Sequence, residues 1–206
     1  DVLEVLNLSD TSNTVVITFD VGDTIDIGSG WSLAGTETID GSLYEVFTQG
    51  AATVKLSAFV SFYEDGADIY IELDDDDQNV SVVATATGYE FTLSSGQWAG
   101  TDSANVSGNG GSVLTVSAAG VALFDTVHID DMASNGSVTF NDGGLNTYGD
   151  SFEINLDEAT AGTISFSGTT AFTDSASLSA LTTRNITVHG DAIVRTVDGD
   201  ITLSAN

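Results

Sequence analysis

The chain of 206 residues contains no cysteine, no proline and only three basic residues: Lys55, Arg184 and Arg195. Without cysteine it has no disulfide, no thiolate metal site and no cysteine nucleophile. Three basic side chains cannot neutralise a run of phosphates, which argues against a nucleic-acid partner. The same shortage disfavours an anionic membrane surface. No apolar stretch approaches the roughly 20 residues of a membrane span. We therefore expect neither nucleic-acid binding nor membrane insertion.

Acidic residues are abundant. There are 31 Asp and Glu, which give a formal net charge of −28, and 41% of the residues are hydrophobic. That apolar content is too high for a disordered acidic tail, and the length allows a sizeable core. Carboxylates are oxygen ligands that suit Ca²⁺, and cations would screen their mutual repulsion. We expect divalent cations, calcium first, as partners. The alternative is an acidic surface that only keeps the protein soluble.

Strand signals dominate the chain, and no long segment carries the apolar stripe of a helix. The runs are short, β-branched or aromatic and often alternating, and turn residues such as Asp65-Gly66 and Asp198-Gly199 separate them. In the first half these runs are 14–19, 52–56, 67–73, 80–84 and 89–93. The pattern predicts an all-β protein.

The second half carries an internal repeat of about 24 residues. The run at Val138 is followed by similar runs at Ile164 and Ile186, and 136–140 (GSVTF) is similar to 162–166 (GTISF). A period of this length with short strands is typical of a parallel β-helix, or solenoid, in which stacked coils share one core. Alternation then predicts these side chains inside: Val138, Phe140, Ile164, Phe166, Ile186 and Val188. An antiparallel sandwich is the alternative.

The first half lacks this period and holds most of the aromatic residues. We expect an aromatic-rich all-β module over 1–95, which is either a continuation of the solenoid or a β-sandwich-like module. A Gly-, Ser- and Asn-rich loop or linker over 96–112 follows it, and β-solenoid repeats occupy 113–206. The chain begins at Asp1 without a signal-like segment, so we expect a mature form or an excised piece of a longer protein.

Two segments resemble known surface proteins. The stretch from Gly30-Trp31 to 50–54 (GAATV) resembles a module of very large bacterial repeat adhesins. The stretch 183–188 (TRNITV), followed by 197–206 (VDGDITLSAN), resembles the β-strand repeats of giant filamentous-haemagglutinin-like surface proteins. The resemblance implies a parallel β-helical shaft, export to the bacterial cell surface, and an adhesive or structural role. It supplies no catalytic residues.

The densest acidic cluster surrounds the run 67–73. In a strand, Asp68, Tyr70 and Glu72 would share one face and the apolar residues the other. Several carboxylates that converge at the end of this strand could supply the oxygens that Ca²⁺ takes. The predicted metal ligands are Asp65, Asp68, Glu72, Asp74, Asp75, Asp76 and Asp77. The alternative is a solvated acidic turn.

The committed function is a segment of a secreted bacterial adhesin or structural filament, not an enzyme, with further copies of itself or surface glycans as partners. A carbohydrate-binding module is the first alternative, with Trp31 or Trp98 stacking on a sugar ring, although such rings more often cover a core. A β-helical polysaccharide-cleaving enzyme is the second, and the scarcity of basic residues argues against it for acidic substrates. The third is an ice- or mineral-binding face formed by the outward rank Thr139, Ser165 and Thr187.

Overall fold

A computed structural model describes residues 2–4, 14–17, 24–26, 30–39, 42–57, 59–73, 78–94, 96–131, 136–141, 145–157 and 162–206. Over these residues the protein is all-β, as predicted, and the helical part is the four-residue α1 (Ala118–Val121). The chain divides into two compact units, Asp1–Ala58 and Phe59–Asn206. This division lies well before 96–112, the segment predicted as a loop or linker.

The first unit contains two sheets. One pairs β1 and β3 in parallel, and the other has the order β2-β6-β5-β4, in which β4, β5 and β6 form an antiparallel meander. The strands of this unit are β1 (Val2–Glu4), β2 (Thr14–Ile17), β3 (Thr24–Asp26), β4 (Ser32–Ile39), β5 (Ser42–Gln49) and β6 (Ala52–Ser57).

The second unit contains three sheets, here named sheets I, II and III. Sheet I has the order β11-β7-β8-β14-β17-β20-β23, sheet II the order β12-β13-β10-β9-β15-β18-β21, and sheet III the order β16-β19-β22. Its strands before α1 are β7 (Phe59–Asp65), β8 (Asp68–Leu73), β9 (Asn79–Thr85), β10 (Gly88–Leu93), β11 (Gln97–Gly100), β12 (Val106–Ser107) and β13 (Val113–Ser117). After α1 come β14 (Thr126–Asp131), β15 (Ser137–Phe140), β16 (Leu145–Tyr148), β17 (Ser151–Leu156), β18 (Thr163–Phe166), β19 (Thr169–Phe172), β20 (Leu178–Thr182), β21 (Asn185–Val188), β22 (Ile193–Thr196) and β23 (Ile201–Ala205).

Parallel pairing from β14 onward follows the predicted repeat. In sheet II, Val138 pairs with Ile164, and Ile164 with Ile186, so the predicted alignment of GSVTF with GTISF is confirmed. In sheet I, Phe152 pairs with Leu178 and Leu178 with Ile201. The sequence alignment had set Ala176 opposite Phe152. Both Ala176 and Leu178 are buried, so alternation alone could not choose between them.

Apolar side chains of the three sheets form one core. The burial pattern alternates along β15, β17 and β18, as period-2 strands require. Paired positions stack ring on ring: Phe140 on Phe166 with centroids 5.0 Å apart, and Tyr148 on Phe172 with centroids 5.4 Å apart. Burying each such side chain contributes about 1.5–3 kcal/mol.

Antiparallel hairpins are found among the earlier strands of this unit. The pairs β7–β8 and β9–β10 are joined by two-residue turns, and β13 adds antiparallel to β10. Gly88, which follows the second turn, has φ +135°, and a Cβ there would overlap the carbonyl oxygen of Val116. Only glycine allows β13 to approach β10 so closely.

The last strand of each sheet is less covered than its neighbour. Phe166 on β18 is fully buried, whereas Val188, its partner on β21, is 46% exposed. Ala180 on β20 is 1% exposed, whereas Leu203 on β23 is 42% exposed. The predicted inside positions Val138, Phe140, Ile164 and Phe166 are thus buried, Ile186 is half-buried, and Val188 is exposed because no further strand covers it.

Candidate functional site

The outer face of sheet I carries a stack of three rings from neighbouring strands. Tyr63 on β7 stacks on Tyr70 of β8 with centroids 4.9 Å apart, and Tyr70 stacks on His128 of β14 at 4.5 Å. Both pairs are within 6° of parallel. The register causes this, because Tyr63 is directly opposite Tyr70, and Tyr70 directly opposite His128. Tyr63, at one end of the stack, is 42% exposed.

Carboxylates flank this ring stack. Glu72 accepts hydrogen bonds from the Ser61 hydroxyl at 3.0 Å and the Tyr63 hydroxyl at 3.1 Å. His128 lies between two acids, with Nδ1 3.3 Å from Glu153 Oε2 and Nε2 3.9 Å from Asp68 Oδ2. A protonated His128 would therefore form two ion pairs.

Asp130 lies two residues beyond His128 on the same outer face. Partial burial raises the pKa of Asp130; the neighbouring carboxylates Glu153 and Glu72 add to this increase, and His128 opposes it. This face can attract cations through its carboxylates.

The predicted metal ligands separate into two groups. Along β8, Asp68 and Glu72 share the outer face while the alternate apolar residues are buried, as predicted. Asp65 pairs with Asp68 across the β7–β8 hairpin and is exposed. Asp74, Asp75, Asp76 and Asp77 lie outside the described residues. In the part of the chain that the structure describes, no three acidic or histidine side chains are grouped so that they could hold a metal ion.

The two tryptophans lie in different surroundings. Trp98 is fully buried in the core, where it packs edge-on to Phe62, and its indole N–H lies 3.2 Å from the carbonyl oxygens of both Phe91 and Ser112. A fully buried ring has no face to offer a sugar, so Trp98 covers the core rather than binding a ligand. Trp31, just before β4, is partly exposed.

The outer face of sheet II is a second candidate surface, of opposite character. A cavity of about 280 Å³ opens on it across β10, β9 and β15. Its polar lining is amide and hydroxyl: Asn79, Ser81, Thr92, Ser94, Ser137, Thr139 and Asn141. Of these residues, sequence analysis had singled out only Thr139. The missing signal was the pairing of β9 with β15 across 57 intervening residues, because it brings Asn79 and Ser81 opposite Ser137 and Thr139.

A third polar group is buried between sheets rather than exposed. The Tyr89 hydroxyl accepts hydrogen bonds from the backbone N–H groups of Gly149 and Asp150, at 2.9 and 3.1 Å. Asp150 itself is 4% exposed, and its Oδ2 has no hydrogen-bond partner. Burial raises the pKa of Asp150 to about 6; Tyr89 opposes this shift and Asp125 adds to it.

Comparison with known proteins yields no relative. No family model, no curated protein and no solved structure matches the chain. Among the described residues, no helix is long and apolar enough to cross a membrane. The candidate surfaces must therefore be interpreted from their own chemistry.

Asp150→Asn should reverse an unfavourable pH dependence. The carboxyl has a pKa of about 6 in the fold against an ordinary 3.8, so the folded state binds more protons between these values. Stability from this group is therefore present at low pH and is lost as pH rises through 6. After allowance for solvent screening, we expect the variant to gain on the order of 1 kcal/mol relative to wild type between pH 4 and pH 8. Urea unfolding at several pH values measures this. Exposed Asp198→Asn is the control, and a variant whose difference from wild type is the same at both pH values would contradict the assignment.

Proposed function

We propose that the second unit is a parallel β-helix and that the chain is a rigid structural and adhesive segment of a secreted bacterial surface protein. The observation that carries the proposal is the constant step between paired parallel strands. Val138, Ile164 and Ile186 follow at 26 and 22 residues in sheet II. Leu145, Thr169 and Ile193 follow at 24 and 24 in sheet III. Three sheets that advance by nearly the same number of residues are what successive coils of one solenoid produce.

The proposed role is passive and mechanical. Each added coil buries its apolar side chains on the coil below, so length is gained without a wider core. The less covered strands β21, β22 and β23 are the places where a further coil, from more chain or another copy, would add. Support comes from Val188, Ile193 and Leu203, which are 42–53% exposed there.

Divalent cations belong to the proposal as stabilising partners. The net charge of −28 opposes compaction, and Asp68, Glu72, Asp130 and Glu153 lie on one face of sheet I. Calcium bridging such carboxylates would lower their repulsion.

Location at the cell surface is tested in the native cells. Antibody raised against the chain, followed by immunogold electron microscopy, should label material that projects beyond the envelope. A strain that lacks the coding segment should lose attachment to surfaces, and complementation should restore it. Label confined to the cell interior would contradict the proposed function.

Calcium should raise the thermal unfolding temperature more than sodium does at the same ionic strength. Ligand bound by the folded state adds stability by mass action, whereas general screening depends only on ionic strength. Calorimetry in CaCl₂, MgCl₂ and NaCl separates the two. The control variant Glu153→Gln should reduce the calcium increment, since it removes one carboxylate of the sheet I face. Equal unfolding temperatures in all three salts would refute a specific role for calcium.

A further inference from the structure

The outer face of sheet II lacks the charge that covers the rest of the molecule. Two rows of side chains cross its strands in register. The first row is Thr92, Ser81, Thr139, Ser165 and Thr187, and the second is Asn79, Ser137, Thr163 and Asn185. All nine are uncharged Ser, Thr or Asn, in a chain with 31 acidic residues. The equivalent outer positions of sheet I include Asp68, Glu72, Asp130 and Glu153.

The hydroxyls and amides of these rows contact one another across strands. Thr139 Oγ1 lies 2.9 Å from Ser165 Oγ, and the Ser137 hydroxyl donates to Asn79 Oδ1. Such contacts fix the side chains in place. A hydroxyl has one donor and two acceptor positions, so each can still bond a ligand outside the sheet. The two rows therefore form a pre-ordered polar surface.

A concave site lies at one end of this surface. The cavity of about 280 Å³ is lined by residues of both rows, and Val80 and Leu93 add apolar contact. No charged residue is among its described lining residues. The next row along begins with the exposed Glu90 on β10. From the cavity, the rows continue over β18 and β21, so the strip spans four strand spacings, about 19 Å.

We propose that this face binds a neutral glycan, with one sugar residue in the cavity and the following residues along the strip. Sugar hydroxyls both donate and accept, which matches a lining of hydroxyls and side-chain amides. A lining without carboxylates gives no reason for a cationic ligand, and a protein of net charge −28 repels uronates, sialic acids and sulfated glycans. The inference deepens the proposed adhesive function, on which it rests, by naming the ligand class and its site.

The test begins with an array that carries neutral glucans, mannans and galactans beside uronate, sialylated and sulfated glycans. We expect binding to neutral glycans, with affinity that increases from monosaccharide to oligosaccharide. Isothermal titration then measures the best neutral oligosaccharide against variants. Thr139→Val, which removes one hydroxyl of the cavity with little change in shape, should weaken binding about tenfold.

Two further variants make the test specific. Thr187→Val, on the strip but outside the cavity, should weaken the oligosaccharide several-fold and leave a monosaccharide unaffected. Ser179→Ala, an exposed hydroxyl on β20 of sheet I, should change neither. Circular dichroism melts of every variant separate lost binding from lost folding.

Three results would overturn the inference: no neutral glycan binds, acidic glycans bind in preference, or Thr139→Val and Ser179→Ala behave alike. Failure here leaves the structural role standing if immunogold still labels the cell surface. If the label is instead internal, the proposed function falls whatever the array shows.

Discussion

The structure of the second unit depends on one interaction: apolar side chains on each parallel strand pack on those of the strand before. Phe140 on Phe166, Ile164 on Ile186 and Phe152 on Leu178 are directly paired positions, and the first strand of each pair is fully or almost fully buried. No strand of four to six residues could bury its inner face alone. The cover is cumulative, which is why burial falls off at Val188 and Leu203, where the stack stops. Since the core takes every second residue, the remaining residues are left for the outer faces.

Those outer faces are where the sheets differ. Sheet I presents stacked rings with carboxylates on either side of His128, whereas sheet II presents rows of hydroxyls and amides without charge. A fixed register makes both possible, because it lines up every second residue of successive strands into rows. The same scaffold can thus hold a cation-attracting face and a neutral face close together. This division supports the proposed adhesive segment, in which one face is stabilised by divalent cations and another contacts glycans.

Much of the fold was predictable where the signal is local or repeats. Alternation gave the inner and outer residues of β8 and β15, and self-similarity gave the pairing of 136–140 with 162–166. The site was less predictable. Trp98 carries the same local signal as an exposed tryptophan, and only the packing of β11 against β7 places it in the core. The neutral cavity depends on β9 pairing with β15, and β9 lies outside the repeat. The stack of Tyr63, Tyr70 and His128 likewise combines a hairpin with a parallel pair more than 50 residues apart in sequence, which no sequence period reveals.

The parallel register itself is tested most directly by pyrene excimer fluorescence, which the absence of native cysteine makes simple. Cysteine pairs labelled with pyrene maleimide are placed on β18 and β21. Parallel pairing brings Thr163 next to Asn185 and Ser165 next to Thr187, so both of these pairs should give strong excimer emission. The crossed pairs, Thr163 with Thr187 and Ser165 with Asn185, should give less. Stronger emission from the crossed pairs would mean that β18 and β21 run antiparallel, which would contradict the stacked parallel core and the proposed β-helix built on it.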